Sequence, residues 1–206
     1  MFMGRRAIAT ALISALAIAG CSQPNDSTPL ISFEIPNTWY SLDVNGLNAA
    51  QTSWLTATPS DAITEATMDL RAWATSPNID AADLFSNTPP QRMQAVTFTR
   101  PLFTEEVAAL SENPENLKDV VLAVNSKVAG DGLEVRLNLV NTSTDIYFLQ
   151  QELAWDFGGV TQSIKIRAAA DLTKSTLSVF WLRCSDTCFI SDAKTSEKII
   201  SSIRIG

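Results

Sequence analysis

The 206-residue sequence contains no histidine, and that absence removes more chemistry than any motif adds. Ser-His-Asp and Cys-His catalysis, imidazole general bases and histidine-ligated metals are excluded, because each needs a ring nitrogen that donates or titrates near neutrality. Cysteine is scarce, with three residues, Cys21, Cys184 and Cys188, too few for a four-ligand zinc site when no histidine supplements them. Neither a Gly-x-x-x-x-Gly-Lys phosphate loop, nor a Gly-x-Ser-x-Gly elbow, nor a spaced dinucleotide fingerprint occurs, and Ser126-Lys127 is adjacent rather than spaced as Ser-x-x-Lys. No Asp-x-Asp-x-Asp-Gly calcium loop is present. No metal and no cofactor are expected.

Basic residues are also few, 15 Lys and Arg against 22 Asp and Glu, for a net charge of −7. Arg5 and Arg6 are the charged side chains before Cys21, and without them the net charge becomes −9. Such a field repels phosphate backbones, and no Lys/Arg cluster overrides it, so nucleic acid is not an expected partner. The apolar run from Ala7 to Ala19 is shorter than the roughly 20 residues a spanning helix wants, and Thr10 and Ser14 interrupt it.

What is present begins with that run. Gly4-Arg5-Arg6, the apolar stretch and Gly20 before Cys21 form a secretory signal pattern. The junction Ile18-Ala19-Gly20-Cys21 resembles the lipobox of bacterial lipoproteins at all four positions. The resemblance implies cleavage between Gly20 and Cys21, a diacylglyceryl thioether on Cys21, and a new amino terminus open to acylation. Small side chains let an extended backbone enter a narrow peptidase cleft, and the thiol is the good nucleophile nearby for attaching lipid. At about 0.8 kcal/mol per buried methylene, two or three chains hold such a protein on its membrane. The implied location is extracytoplasmic, lipid-anchored to the cell membrane, or to the outer membrane in a Gram-negative host, where Ser22 after the cysteine is compatible with onward sorting.

The expected organisation is a signal peptide over 1–20, the lipidated cysteine and a flexible tether over 21–29, and a single α+β domain over 30–206. Ser22 to Pro29 is polar and proline-punctuated, and at about 3.3 Å per residue it reaches roughly 25 to 30 Å from the bilayer. At 46% hydrophobic and 18% charged, the chain is apolar enough for a core.

Cys184 and Cys188, in a compartment that permits disulfides, are expected to be bonded, closing a small ring worth about 2 kcal/mol. Half a zinc site and a redox-active pair are the competing readings. The first lacks further ligands; the second usually has two intervening residues rather than three.

Alternation of Ile31, Phe33 and Ile35 predicts a strand stopped by Pro36, with Asn37 to Tyr40 turning the chain back. Thr64 to Ala74 reads as a second strand and Asn78 to Ser86 as a short helical turn. Asn113, Pro114 and Glu115 are an N-cap, a first-turn proline and a first-turn acid, so a helix carrying Leu117, Val120, Val121 and Val124 follows until Gly130 and Gly132. Leu133, Val135, Leu137 and Leu139 are expected on one strand face, with Glu134, Arg136 and Asn138 on the other. Gly158-Gly159 permits a two-residue hairpin turn, which pairs Phe157 with Val160, Trp155 with Gln162, Leu153 with Ile164 and Leu149 with Ala168. Val179-Phe180-Trp181-Leu182 reads as a strand covered on both faces, and a helix near Ser191 to Ser201 turns Ile199, Ile200 and Ile203 to the core.

The order of elements is α+β. Ile31 to Trp39, with its Pro-x-x-Trp turn, and the tail from the helix after Asn113 to Ile205 resemble the PsbP-like fold, which some actinobacterial envelope lipoproteins share. The resemblance implies an antiparallel sheet flanked by helices, an α/β/α sandwich, used for docking rather than catalysis. The expected function is therefore a non-catalytic binding or adaptor module presented to another envelope protein or an amphipathic ligand. The alternative is a carboxylate-dependent hydrolase of wall polymer or glycan, for which Glu65 with Asp69, Glu105 with Glu106, and Glu152 with Asp156 are the candidate pairs. Surface charge is the plainer account of each pair. Trp39, Trp54, Trp73, Trp155 and Trp181 offer candidate stacking surfaces for sugars or lipid chains, but Trp155 and Trp181 read as core and Trp54 as the least committed.

Overall fold

The computed structural model describes residues 30–45, 69–85, 90–121 and 133–206. Cys21, the tether, Trp54, Glu65, Val124, Gly130 and Gly132 lie outside them, as does the stretch of the second expected strand before Asp69.

Nine strands and four α-helices are found among the described residues. They are β1 (Ile31–Ser32), β2 (Tyr40–Leu42), β3 (Asp69–Ala74), β4 (Gln94–Pro101), α1 (Thr104–Glu112), α2 (Leu117–Val121), β5 (Leu133–Ser143), β6 (Ile146–Phe157), β7 (Val160–Asp171), β8 (Thr176–Ser185), α3 (Asp186–Ser191), α4 (Ala193–Ser202) and β9 (Arg204–Ile205). Short 3-10 turns cover Ala81–Phe85 and Pro114–Asn116. Seven strands form one antiparallel sheet in the order β2-β3-β4-β8-β7-β6-β5. The protein is α+β.

The Gly158-Gly159 turn sets the register of the longest hairpin. Both glycines have positive φ, 62° and 85°, the conformation a two-residue turn demands at its centre. Phe157–Val160, Trp155–Gln162, Leu153–Ile164 and Leu149–Ala168 pair as expected. Strand β8 lies in the middle of the sheet, so both its faces are covered and its residues after Thr176 are buried.

Alternation along the strands divides the core in two. Ile164, Ile166 and Ala168 join Val96, Phe98, Leu149, Leu153, Trp155 and Trp181 in one cluster, which Leu110, Leu117, Val120 and Val121 of α1 and α2 complete. Phe180, Leu182, Ala95 and Met93, on the opposite sheet face, pack with Leu30, Ile31, Phe189 and Ile199 in the other. Each large apolar side chain so buried contributes about 1.5 to 3 kcal/mol. Trp155 and Trp181 are core, as their strand patterns required.

Two expectations need correction. The strand expected over Ile31 to Ile35 is reduced to Ile31–Ser32, and it pairs with β9 in a separate two-stranded ribbon rather than joining the sheet. Its burial still alternates, because Phe33 and Ile35 pack against the second cluster without a ladder partner. In β5 the expected single apolar face is broken by a bulge between Val135 and Leu137, so Val135 pairs with Leu153 but Leu137 pairs with Glu152. A bulge inserts one residue and reverses the phase of everything after it. Leu137 and Leu139 therefore share the face of Glu152, and Val140 instead packs against the first cluster.

No strand or helix was expected from the sequence at β2, β4, α1, α3 or β9. The side chain of Asn113 accepts from the Glu115 N–H, as a cap should, but the segment it opens is a 3-10 turn leading into α2.

Candidate functional site

The bulge in β5 re-aims Arg136 across the sheet. Its guanidinium donates to Ser163 Oγ of β7 at 3.0 Å, and to Asp186, the first residue of α3, at 3.0 Å (Oδ1) and 2.8 Å (Oδ2). Nε donates to Glu134 at 3.1 Å, and Ser163 Oγ also donates to Asp186. The hydrogen bonds from Arg136 hold the Asp186 carboxyl below the usual carboxylate range, with the Ser163 bond adding to that. The bond to Asp186 raises the Arg136 guanidinium further.

Helix α3 is set in place at its first turn. Ser185 caps it by accepting from the Cys188 N–H at 3.3 Å, and Asp186 puts a negative charge at its positive end. Cys188 is joined to Cys184 at the end of β8, with the Cα atoms 5.9 Å apart.

Between α3 and the sheet lies a groove of about 320 Å³, lined by Arg136, Asp186, Glu152, Lys165, Phe189 and Ile190 among others. Lys165 sits over the Phe189 ring, 5.3 Å from its centre. Ile190 is 77% exposed at the rim. Glu152 lies 3.9 Å from Arg167, whose guanidinium burial makes less basic than usual. The groove thus combines an apolar wall with ionic groups, of which Arg136 and Asp186 face each other and Glu152 faces Arg167, while Lys165 lies over the Phe189 ring.

A second cleft of about 320 Å³ runs beside β1. Phe33 and Trp73 meet edge to face at 5.6 Å in its wall, and the exposed ion pair of Asp69 with Arg71 borders it. Leu30, next to this cleft's Ile31, is tied down by its N–H to Ser178 Oγ at 3.1 Å, and it accepts from the Gly206 N–H. Leu30 and Gly206 therefore lie side by side.

The expected carboxylate pairs fare differently. Glu106 is not surface charge. It is buried, and its two oxygens accept from Arg100 at 2.7 and 2.8 Å while Oε2 also accepts the Phe103 N–H. Glu105 is exposed, so the two side chains part company. Asp156 is exposed and caps the glycine turn by accepting from the Gly159 N–H, whereas Glu152 lines the groove. Asp69 pairs with Arg71, and its suggested partner Glu65 lies outside the described residues.

Arg136 and Asp186 had no sequence signal, since they are joined only through a bulge in β5 and the start of α3. Among the described residues no group of three or more acidic or cysteine side chains is arranged to hold a metal, and no helix is long and apolar enough to cross a membrane.

No protein-family model matches the chain, and no curated protein matches it. Solved structures similar to it include LpqN of Mycobacterium tuberculosis, described as involved in cell envelope biogenesis, at 12% identity and a TM-score of 0.46, covering 89% of this chain and 87% of that one. Another is cyanobacterial PsbP (CyanoP) of Synechocystis sp. PCC 6803, at 13% identity and a TM-score of 0.44, covering 88% and 89%. A third is a protein of unknown function from Pseudomonas aeruginosa, at 8% identity and a TM-score of 0.39, covering 67% and 82%. Likenesses this distant fix neither a family nor a function.

Proposed function

We propose that this chain is a lipoprotein of the bacterial envelope, anchored extracytoplasmically through Cys21, whose domain binds a partner protein or amphipathic ligand in the groove beside α3 and does no chemistry there. The anchor rests on the Ile18-Ala19-Gly20-Cys21 junction. In this reading the helices sandwich the sheet in a PsbP-like manner, which the presence of helical residues in both core clusters supports.

The observation that carries the binding reading is the pairing of Asp186 with Arg136 beside the open side chain of Ile190. A general acid needs a carboxyl whose pKa is raised, and that of Asp186 is lowered. A rigid ionic frame next to exposed apolar surface suits docking, because the ions orient a partner while Phe189 and Ile190 supply area to bury.

One observation favours the alternative, a carboxylate-dependent hydrolase: Glu152 and Asp186 line the same groove. The two readings separate cleanly. A photo-crosslinking residue placed at Ile190 in the anchored protein should give one discrete adduct in native membranes, lost with Phe189→Ala. No adduct at Ile190, together with release of soluble sugar from wall polymer that Glu152→Gln abolishes, would establish the hydrolase instead.

A further inference from the structure

We infer that β5 is a self-association edge, on which two copies of this chain pair antiparallel about a two-fold axis through Val140. Strand β5 is 11 residues long and ends the sheet, and among the described residues it pairs with β6 alone. Natural edge strands are usually blunted by lysine, proline or a bulge. Here the bulge falls at Arg136, and the stretch beyond it, Leu137-Asn138-Leu139-Val140-Asn141-Thr142-Ser143, has no charge, proline or glycine. Leu139 is 49% exposed on it.

The occupant follows from the hydrogen-bonding phase. The hairpin from β5 to β6 closes with Ser143 opposite Ile146, so Ser143, Asn141 and Leu139 spend their backbone groups on β6. Thr142, Val140 and Asn138 then turn their N–H and C=O groups outward. In antiparallel pairing about Val140, Val140 meets Val140 of the copy and Asn138 meets Thr142, and all of these residues have outward-facing groups. The edge is thus complementary to itself. The same register sets the two Leu139 side chains as diagonal neighbours on one face, within reach of each other. It also brings Arg136 towards the Thr144–Asp145 turn of the copy, a charge of opposite sign. The contact is isologous and closes as a dimer.

The register makes the test specific. In a hydrogen-bonded antiparallel pair the Cα atoms are about 5.5 Å apart, inside the roughly 4.4 to 6.8 Å that a disulfide spans. The full chain in detergent, as the Val140→Cys variant, should form a cross-linked dimer under mild oxidation, well above the wild-type background. Asn138→Cys alone should stay at background, because its own copy lies about 14 Å along the strand, while Asn138→Cys with Thr142→Cys should cross-link. Sedimentation should find wild type dimeric and Val140→Pro monomeric, since the proline removes a donor facing the copy and leaves the bonds to β6 intact. A wild-type monomer at every concentration with no Val140→Cys cross-link overturns the inference. So does equal cross-linking by Asn138→Cys alone, which reports collision rather than register.

Discussion

Arg136 and Asp186, 50 residues apart in sequence, are joined by two near-parallel hydrogen bonds of 3.0 and 2.8 Å, which tie the edge strand β5 to the first turn of α3. The pair is about one-third exposed, so screening limits what it adds to stability; its geometry matters more than its energy. Arg136→Ala or Asp186→Asn should each lower unfolding free energy by about 1 kcal/mol or less, as read by urea titration at neutral pH. Removing both should cost little more than removing one. Full additivity in that cycle would mean that the two residues do not interact in solution.

Acid should uncover the same pair. The Asp186 carboxyl titrates below its unfolded value, held down first by Arg136, so its contribution is fully present above the unfolded carboxylate range, near pH 4. It is lost as pH falls through the lower, folded value. The difference in melting temperature between wild type and Asp186→Asn should be constant at neutral pH and shrink below about pH 4. A difference that grew on acidification would contradict the lowered carboxyl. Asp171, held down by its bonds to Thr173 and Lys174 against its own burial, should behave in the same way.

Arg100 and Glu106 are the opposite case. Both side chains are almost wholly removed from water, and Glu106 accepts two bonds from the guanidinium and one from the start of its own helix. Glu106→Ala should destabilise the domain by about 3 to 5 kcal/mol, because it strands a buried cation. Arg100→Met with Glu106→Leu should recover much of that loss. Equilibrium denaturation measures both, and a cost below 1 kcal/mol for Glu106→Ala would mean that water reaches the pair.

The link from Cys184 to Cys188 should protect both thiols in unreduced protein, so alkylation should add no mass at either residue. Cys184→Ser with Cys188→Ser should lower stability by about 2 kcal/mol, the loop-entropy value for so small a ring. Labelling of both thiols without reductant would remove the bond from the account. Because Cys188 lies one residue before Phe189, loosening the link should also weaken any cross-link formed at Ile190.

Legibility of the fold tracked the range of the cause. Gly158-Gly159 is a local signal with a rigid geometric consequence, so the pairing from Phe157–Val160 to Leu149–Ala168 could be written down from sequence. The buried run Val179 to Leu182 was equally plain, because so short a continuous apolar stretch suits a strand covered on both sides. Helix α1 was not legible. Phe103, not a serine or aspartate, stands at its N-cap, and its capping partner Glu106 also serves Arg100 of the preceding strand. The β5 bulge was invisible for a similar reason. No glycine marks it, and what stabilises the displaced Arg136 is Asp186, on another element. The candidate groove inherits that blindness, since its ionic frame exists only after the bulge has turned Arg136 and α3 has presented Asp186.

Whether the domain works at a membrane surface is settled most directly by intact-mass and amino-terminal peptide measurements on the chain taken from its native envelope. The account predicts a first residue of Cys21 bearing a diacylglyceryl thioether, with Met1 to Gly20 removed. A chain that retains Met1, or one that begins at Cys21 with an unmodified thiol, contradicts it.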